Sequence, residues 1–481
     1  MIKTKFYADL HLHPTLKSSN WGLKKKKKNP WETFEHIKPE TPAGRYAMRA
    51  SMDLAKYTQA NFEKLMQGKV KIAFLSLYPF ERGFFNVRNV PNLLTSKKAK
   101  VEMVAVSSGM GREKTEYYFN HTDYFKELND EYNFIKENQG KSPCGKYSYK
   151  IATSYNDIKE SLAKENELSI VLTAEGAHAL FDEKMLSGKL DKAALKKRLV
   201  ENIGQMKSWE HPMSFITLMH HFYNGLGGHA KSLTEIGNSL LNQRKGLERP
   251  IEGLGLSAMK ELLSNTNGRR VLIDSKHMSL QVRKDYYKWI RTYNYINKHD
   301  NIPIICSHGG VNGYKTMSGS LKKKDTIAKK NKHYFFNWAI NLSDEEMKII
   351  HETKGLMGLI IDKGKLAGGQ ILKKIEKESN KAIVKEMYMK QIWDNLFQGV
   401  EAIGSKSAWN IFSLGTDYDG AINHVEFYDD ATKLPTLYGD LYEYLDRTQY
   451  RKKLWHGYRP DEILHKVFQT NAIDFLAQNF K

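Results

Sequence analysis

The sequence predicts an α/β protein built as a closed (β/α)8 barrel of the TIM type, with long loops inserted over the C-terminal face of the strands. Three observations predict it. Short apolar runs rich in Val, Ile and Leu alternate with amphipathic helical stretches about eight times, the pattern of a parallel sheet with helical crossovers. A histidine or a carboxylate closes most of these runs, and active residues of such a barrel come from the C-terminal ends of several strands. The 481 residues suffice for one large barrel with insertions, and no linker or internal repeat divides them, so residues 1–481 are read as one domain.

The first strand is expected over Lys5–Leu10, leading into Asp9-Leu-His-Leu-His13. Strand side chains repeat every two residues, so His11 and His13 share a face. A helix over Arg45–Met66 carries the chain to a second strand, Val70–Leu77. Further strands are expected at Ser169–Thr173, Phe215–Met219, Arg270–Ile273, Ile302–Cys306, Gly355–Ile361 and Ile411–Leu414. The helices between them are expected at Tyr155–Lys164, Lys192–Ser208, Ser257–Ser264, Arg283–Lys298, Ser343–Thr353 and Lys385–Gly399. Ser343-Asp344-Glu345-Glu346 opens its helix with a capping serine and acids facing the helix dipole. Residues 14–42, 86–144 and 309–336 break the alternation and are read as insertions that roof the site.

Composition narrows the function classes. Lys+Arg number 75 against 54 Asp+Glu, a net charge of +21. The lysines are scattered, and the dense runs Lys24–Lys28 and Lys322–Lys324 carry no interleaved aromatics of a strand-binding groove. No specific nucleic-acid partner is therefore expected. No run approaches the ~18 apolar residues of a membrane span, and the start MIKTKFYADLHLHP lacks the apolar stretch of a secretory signal. With only Cys144 and Cys306 there is no disulfide framework, and a cytoplasmic location is expected. Cys306, two residues before His308, would share its face, and is read as a small buried residue rather than a ligand.

The residues closing the runs are His11 and His13, Glu175 in VLTAEGAH, His277 in VLIDSKH, His308 in IPIICSH and Asp417 in FSLGTDYDG. Imidazole and carboxylate together suit zinc or a similar divalent ion. One ion cannot use all six groups and stay open to substrate, whereas two ions sharing a carboxylate can. Glu175 is the natural bridge: His11, His13, Glu175 and Asp417 are assigned to one ion, and Glu175, His277 and His308 to the other. Two such ions, about 3.5–4 Å apart, can hold a bridging hydroxide and polarise a carbonyl. Asp417 could carry the proton from that nucleophile to the leaving amine.

Five ordered segments resemble the membrane dipeptidase (renal dipeptidase) family of the metal-dependent amidohydrolase superfamily. They are VLTAEGAHAL, FITLMHHFYNGLGG, GLSAMKELLSNTNGRRVLIDSKHMS, IPIICSHGG and SLGTDYDG. The resemblance implies a β/α barrel, two zinc ions, a homodimer, and hydrolysis of a small peptide-like substrate such as a dipeptide. It gives His221 the role of contacting the substrate carbonyl and steadying the oxyanion, with the register between His221 and its neighbour His220 open, and it draws His220 and Asn224 into the substrate site. His178 is read as a supporting residue, Asp419 and Gly420 as shaping the turn around Asp417, and Asp274 as orienting a neighbour or supporting the fold.

The sequence departs from the family twice. The first motif is His11-Leu-His13, where the family has His-X-Asp. Ile340 stands where the family has an arginine that grips the substrate carboxylate, and an apolar side chain cannot form that clamp. A basic residue of the nearby insertion, such as Lys315, is the expected compensation. Other readings are a different amidohydrolase activity (a deacylase, lactonase or phosphoester hydrolase) or a barrel that binds without catalysis.

Overall fold

A computed structural model describes residues 6–19, 28–50, 56–87, 96–233, 241–321 and 335–481. Its sheet has ten strands: β1 (Tyr7–Leu12), β2 (Val70–Leu77), β3 (Gly140–Lys141), β4 (Ser148–Ile151), β5 (Glu167–Ala174), β6 (Phe215–Thr217), β7 (Leu272–Asp274), β8 (Ile305–Gly309), β9 (Leu356–Leu359) and β10 (Phe412–Leu414). Eight of them close a parallel barrel in the order β1-β2-β5-β6-β7-β8-β9-β10, with Asp9 beside Leu414 completing the ring. The short pair β3 and β4 lies outside the ring, where β4 runs along the first half of β5 and β6 takes over at its end.

Every residue of β2 and of β5 is buried. Parallel strands are covered on both faces, by the barrel interior and by the helix layer, so they read as continuous apolar runs rather than alternating ones. Helices over Lys192–Lys207, Leu280–Ile296 and Asp344–Glu352 form that layer. Asp191 and Ser279 cap the first two by accepting from Ala194 N and Val282 N, and Glu346 accepts from Ser343 N at 2.8 Å to open the third. Arg283 and Glu346, both fully buried, join two of these helices through a 2.9 Å ion pair.

The structure differs from the expected elements in two places. The helix expected over Arg45–Met66 is two, Pro42–Ala50 and Phe62–Gln67. Asn61 starts the second by accepting from Lys64 N, a local cap that ends any continuous helix there. Strand β8 starts later than Ile302 and includes His308, because its pairing with β9 continues past Cys306 through a bulge. The insertion 86–144 has the helical stretches expected of it, at Lys97–Ser108, Arg112–Asn120 and Tyr124–Glu137 among the described residues, and Met103 and Val104 of the first line the cavity. The lysines at 24–27 and 322–332 lie outside the described residues.

Glycine lets three strands meet. A Cβ on Gly358 would fall 1.8 Å from the Ser307 carbonyl oxygen, and one on Gly415 would fall 2.0 Å from it. β8, β9 and β10 can pack this closely only without those side chains.

Candidate metal centre

The expected donors converge at the C-terminal ends of the barrel strands. His11 lies on β1 and His13 one residue beyond it, Glu175 follows β5, and His308 lies on β8. His277 and Asp417 each sit three residues past their strand, β7 and β10, and both have a left-handed backbone (φ 63° and 60°). Such conformations are uncommon outside glycine and cluster where a side chain must be aimed. The ligand atoms of His11, His13, Glu175 and Asp417 lie within 4.8 Å of one another, as do those of Glu175, His277 and His308.

Glu175 is the hub. Its Oε2 lies 2.9 Å from His13 Nε2, and its Oε1 lies 3.4 Å from the Nε2 atoms of His11 and His277 and 3.6 Å from that of His308. Asp417 Oδ1 lies 3.7 and 3.6 Å from the same atoms of His11 and His13. Burial and the charge of Glu175 push the Asp417 carboxyl up to about 6, while Glu175, buried too, is held well below the usual carboxylate range by His220 and His11.

Hydrogen-bond accounting fixes where the histidine protons sit. Ser307 Oγ donates to Asp274 Oδ2 at 2.6 Å, so it can only accept from His308 Nδ1 (3.0 Å) and His11 Nδ1 (3.2 Å). The Ser76 carbonyl, 3.0 Å away, likewise accepts from His13 Nδ1. All three imidazoles therefore carry a proton on Nδ1 and turn Nε2 to the centre. The Nε2 atoms of His11 and His13 face each other at 3.1 Å. Two nitrogen ligands of one tetrahedral zinc ion are about 3.3 Å apart, given Zn–N bonds of about 2.0–2.1 Å. Glu175 Oε1 and Asp417 Oδ1 are buried and accept no hydrogen bond among the described residues. The donor set fits a divalent metal ion.

The remaining expected residues divide. Asp274 orients a neighbour: its oxygens accept from Ser307 Oγ, Ser307 N, Thr217 Oγ1 and Lys276 N. His220 lies between two carboxylates, with Nδ1 2.5 Å from Glu81 Oε2 and Nε2 3.3 Å from Glu175 Oε2. Against the pull of burial, Glu175 and Glu81 raise it to about 10. His221 stays neutral, because burial and the neighbouring His220 charge hold it well below its ordinary value. Its Nδ1 lies 2.7 Å from Ser232 Oγ, which also accepts from Gln243 Nε2. When the serine proton turns to His221 Nδ1, the imidazole proton is on Nε2. His178 bonds the Pro79 carbonyl at 2.7 Å, a supporting place. Asp419 accepts from Gln59 N and Ala60 N, and a Cβ on Gly420 would strike Asp417 Oδ1.

Three residues stand elsewhere than expected. Asn224 does not line the cavity: its amide donates to Leu218 O and accepts from Leu226 N, closing the loop after β6. Lys315 is exposed and paired with Asp344, and does not reach the site. Cys306 belongs to neither donor group and is buried, where the charges acting on its thiol are led by Lys276 and Asp274. The bulge in β8 explains this last difference. It turns Ser307 and His308, consecutive residues, both toward the centre and breaks the alternation that would have carried Cys306 there.

The sequence reading missed Glu81, Ser232 and Ser307. Only Ser307, a hydroxyl beside a ligand histidine, had any local signal.

The cavity over the donors has a volume of about 170 Å³, and Ile340 is on its wall. Fold and site together define a (β/α)8 barrel carrying a buried histidine–carboxylate centre able to hold a divalent ion. The probable dipeptidase PvdM from Pseudomonas aeruginosa is similar in fold, with a TM-score of 0.51 at 14% identity over 98% of this chain and 94% of that one. A metallo peptidase from Rhodobacter sphaeroides, solved with a phosphinate mimic of the dipeptide L-Ala-D-Ala, gives a TM-score of 0.49 at 12% identity over 99% of both chains. No family model and no curated protein matches the sequence. No helix among the described residues is long and apolar enough to cross a membrane.

Proposed function

We propose that the protein is a binuclear, zinc-dependent hydrolase that cleaves a dipeptide or a related amide bond. One observation carries the reading: two donor groups, His11–His13–Glu175–Asp417 and Glu175–His277–His308, share a single buried carboxylate. The similarly folded PvdM, a probable dipeptidase, agrees with that substrate class. Two ions held there would supply a hydroxide at neutral pH and polarise the scissile carbonyl. The chain's own residues do the rest. Asp417, the less acidic of the two central carboxyls, takes the proton of the nucleophile and returns it to the leaving amine. His221 Nε2–H donates to the carbonyl oxygen as charge develops there. Glu81 positions His220 beside Glu175.

Elemental analysis of protein purified without chelator tests the metal, with about two divalent ions per chain expected from the two-metal scheme. A chain that contains none and takes up no zinc refutes the proposal. Asp417→Asn is expected to lower kcat by about 10²-fold or more, the scale of general acid–base catalysis. Unchanged turnover would remove Asp417 from that role.

A further inference from the structure

One buried group on the cavity wall is used by nothing described above. Lys276, next to His277, is 2% exposed. Its Nζ has no hydrogen-bond partner among the described residues, an arrangement that is costly for an ammonium unless a ligand completes it. The segment is rigid, because Lys276 N is bound to Asp274 Oδ1 at 3.0 Å. The Nζ lies 3.8 Å from where a Cβ on Gly309 would stand, at the end of β8, and Lys276 lines the same cavity as Glu175, His308 and Ile340. The other lysine on that wall, Lys365, donates to the Ser232 carbonyl and sits over the Phe336 ring.

The opposite wall is apolar. Leu16, Phe80 and Phe84 come from the segments after β1 and β2, and Met103 and Val104 from the helix Lys97–Ser108. Leu16, Phe80 and Val104 belong to their own packed cluster, so this wall is preformed. In the barrel order β7, which leads to Lys276, is four strands from β1. Among the described carboxylates of the cavity, Glu175 and Asp417 belong to the donor groups, Asp419 accepts from Gln59 N, Ala60 N and Lys17, and Asp362, which follows β9, accepts from Lys365 N and Asn423 N. None of the side chains that form the apolar wall is a carboxylate.

We infer that Lys276 binds a carboxylate of the substrate while the facing wall takes an uncharged apolar acyl group, so that the preferred substrate is an N-acyl amino acid rather than a free dipeptide. The inference rests on the hydrolase reading and names its substrate. Lys276 supplies the cation that Ile340 cannot.

The test uses the full, metal-loaded chain with N-hexanoylglycine, its carboxamide N-hexanoylglycinamide, and the dipeptide leucylglycine. The acid is expected to exceed its carboxamide in kcat/KM by about 10- to 100-fold, the worth of a buried charge-assisted hydrogen bond, and to exceed leucylglycine. Lys276→Met should bring the acid-to-carboxamide ratio near one, and Lys276→Arg should keep part of it. A wild-type ratio near one, a ratio retained in Lys276→Met, or a preference for leucylglycine overturns the inference. Calorimetry with 4-oxononanoate, in which CH2 replaces the amide NH of N-hexanoylglycine, gives a readout without turnover. Binding weakened about 10-fold or more by Lys276→Met is expected, and equal binding refutes the carboxylate site. If nothing is hydrolysed but 4-oxononanoate binding depends on Lys276, the hydrolase reading fails and the site stands. If the substrates turn over and binding ignores Lys276, this inference fails alone.

Discussion

Ser307→Ala should weaken metal binding at both ends of the centre, although Ser307 is not a ligand. The hydroxyl is the shared acceptor for the Nδ1–H groups of His11 and His308, at 3.2 and 3.0 Å, and itself donates to Asp274. The proposed two-ion arrangement assigns His11 and His308 to different ions, so one side chain holds the tautomer of a ligand to each. Removing it strands two buried imidazole donors, each worth about 0.5–1.5 kcal/mol. Partners of this kind typically contribute about 10–100-fold to metal affinity, or about 1.4–2.7 kcal/mol, in line with one to two such bonds. His13, held by the Ser76 backbone carbonyl, keeps its orientation. The assay is a zinc titration of metal-free protein against a chromophoric chelator, fitted to two sites. Both affinities should fall about 10-fold or more. If both stay within about threefold of wild type, the serine does not set the tautomers and the reasoning fails. Asp274→Asn should be at least as damaging, because all four of its partners are donors and an amide NH2 must face one of them.

Three further outcomes follow from the same contacts. Gly358→Ala drives a Cβ into the Ser307 carbonyl at 1.8 Å, and should cost about 1–3 kcal/mol or more, seen as lost soluble yield or a lower Tm; a variant as stable as wild type would show that β8 and β9 can part. Chelation should lower Tm, and added zinc should restore it, since a ligand at about 100 times its Kd stabilises by about 2.7 kcal/mol; a Tm indifferent to chelator contradicts a resident metal. Burial lowers Lys114 to about 7, below the roughly 10.4 of an exposed lysine, so between those values the unfolded chain binds more protons and stability rises with pH. Denaturation midpoints should climb from pH 7 to 9 and climb less in Lys114→Met, and equal slopes would show that Lys114 is not the source.

Much of this protein was legible locally. A parallel strand buried on both faces must be apolar along its length, so β2 and β5 stood out within their own residues, and the period of two on β1 placed His11 and His13 together before any fold was known. The residues closing those runs were readable for the same reason, since a polar side chain ending a buried strand has few tasks other than a site. Bulges were harder to read. The bulge that turns Ser307 inward depends on a strand distant in sequence, whereas the Asn61 cap that divides the helix expected over Arg45–Met66 is a local signal, three residues long. Glu81 reaches His220 from 139 residues away and Ser307 reaches His11 from 296, so no window of sequence contains either pair. Strand periodicity and side-chain chemistry determined which residues could be donors. Only the closed ring of eight strands decided which nitrogen each histidine turns to the centre, and which buried lysine has no hydrogen-bond partner among the described residues. Proton positions and unmet charges belong to pairs of groups, and the fold alone makes the pairs.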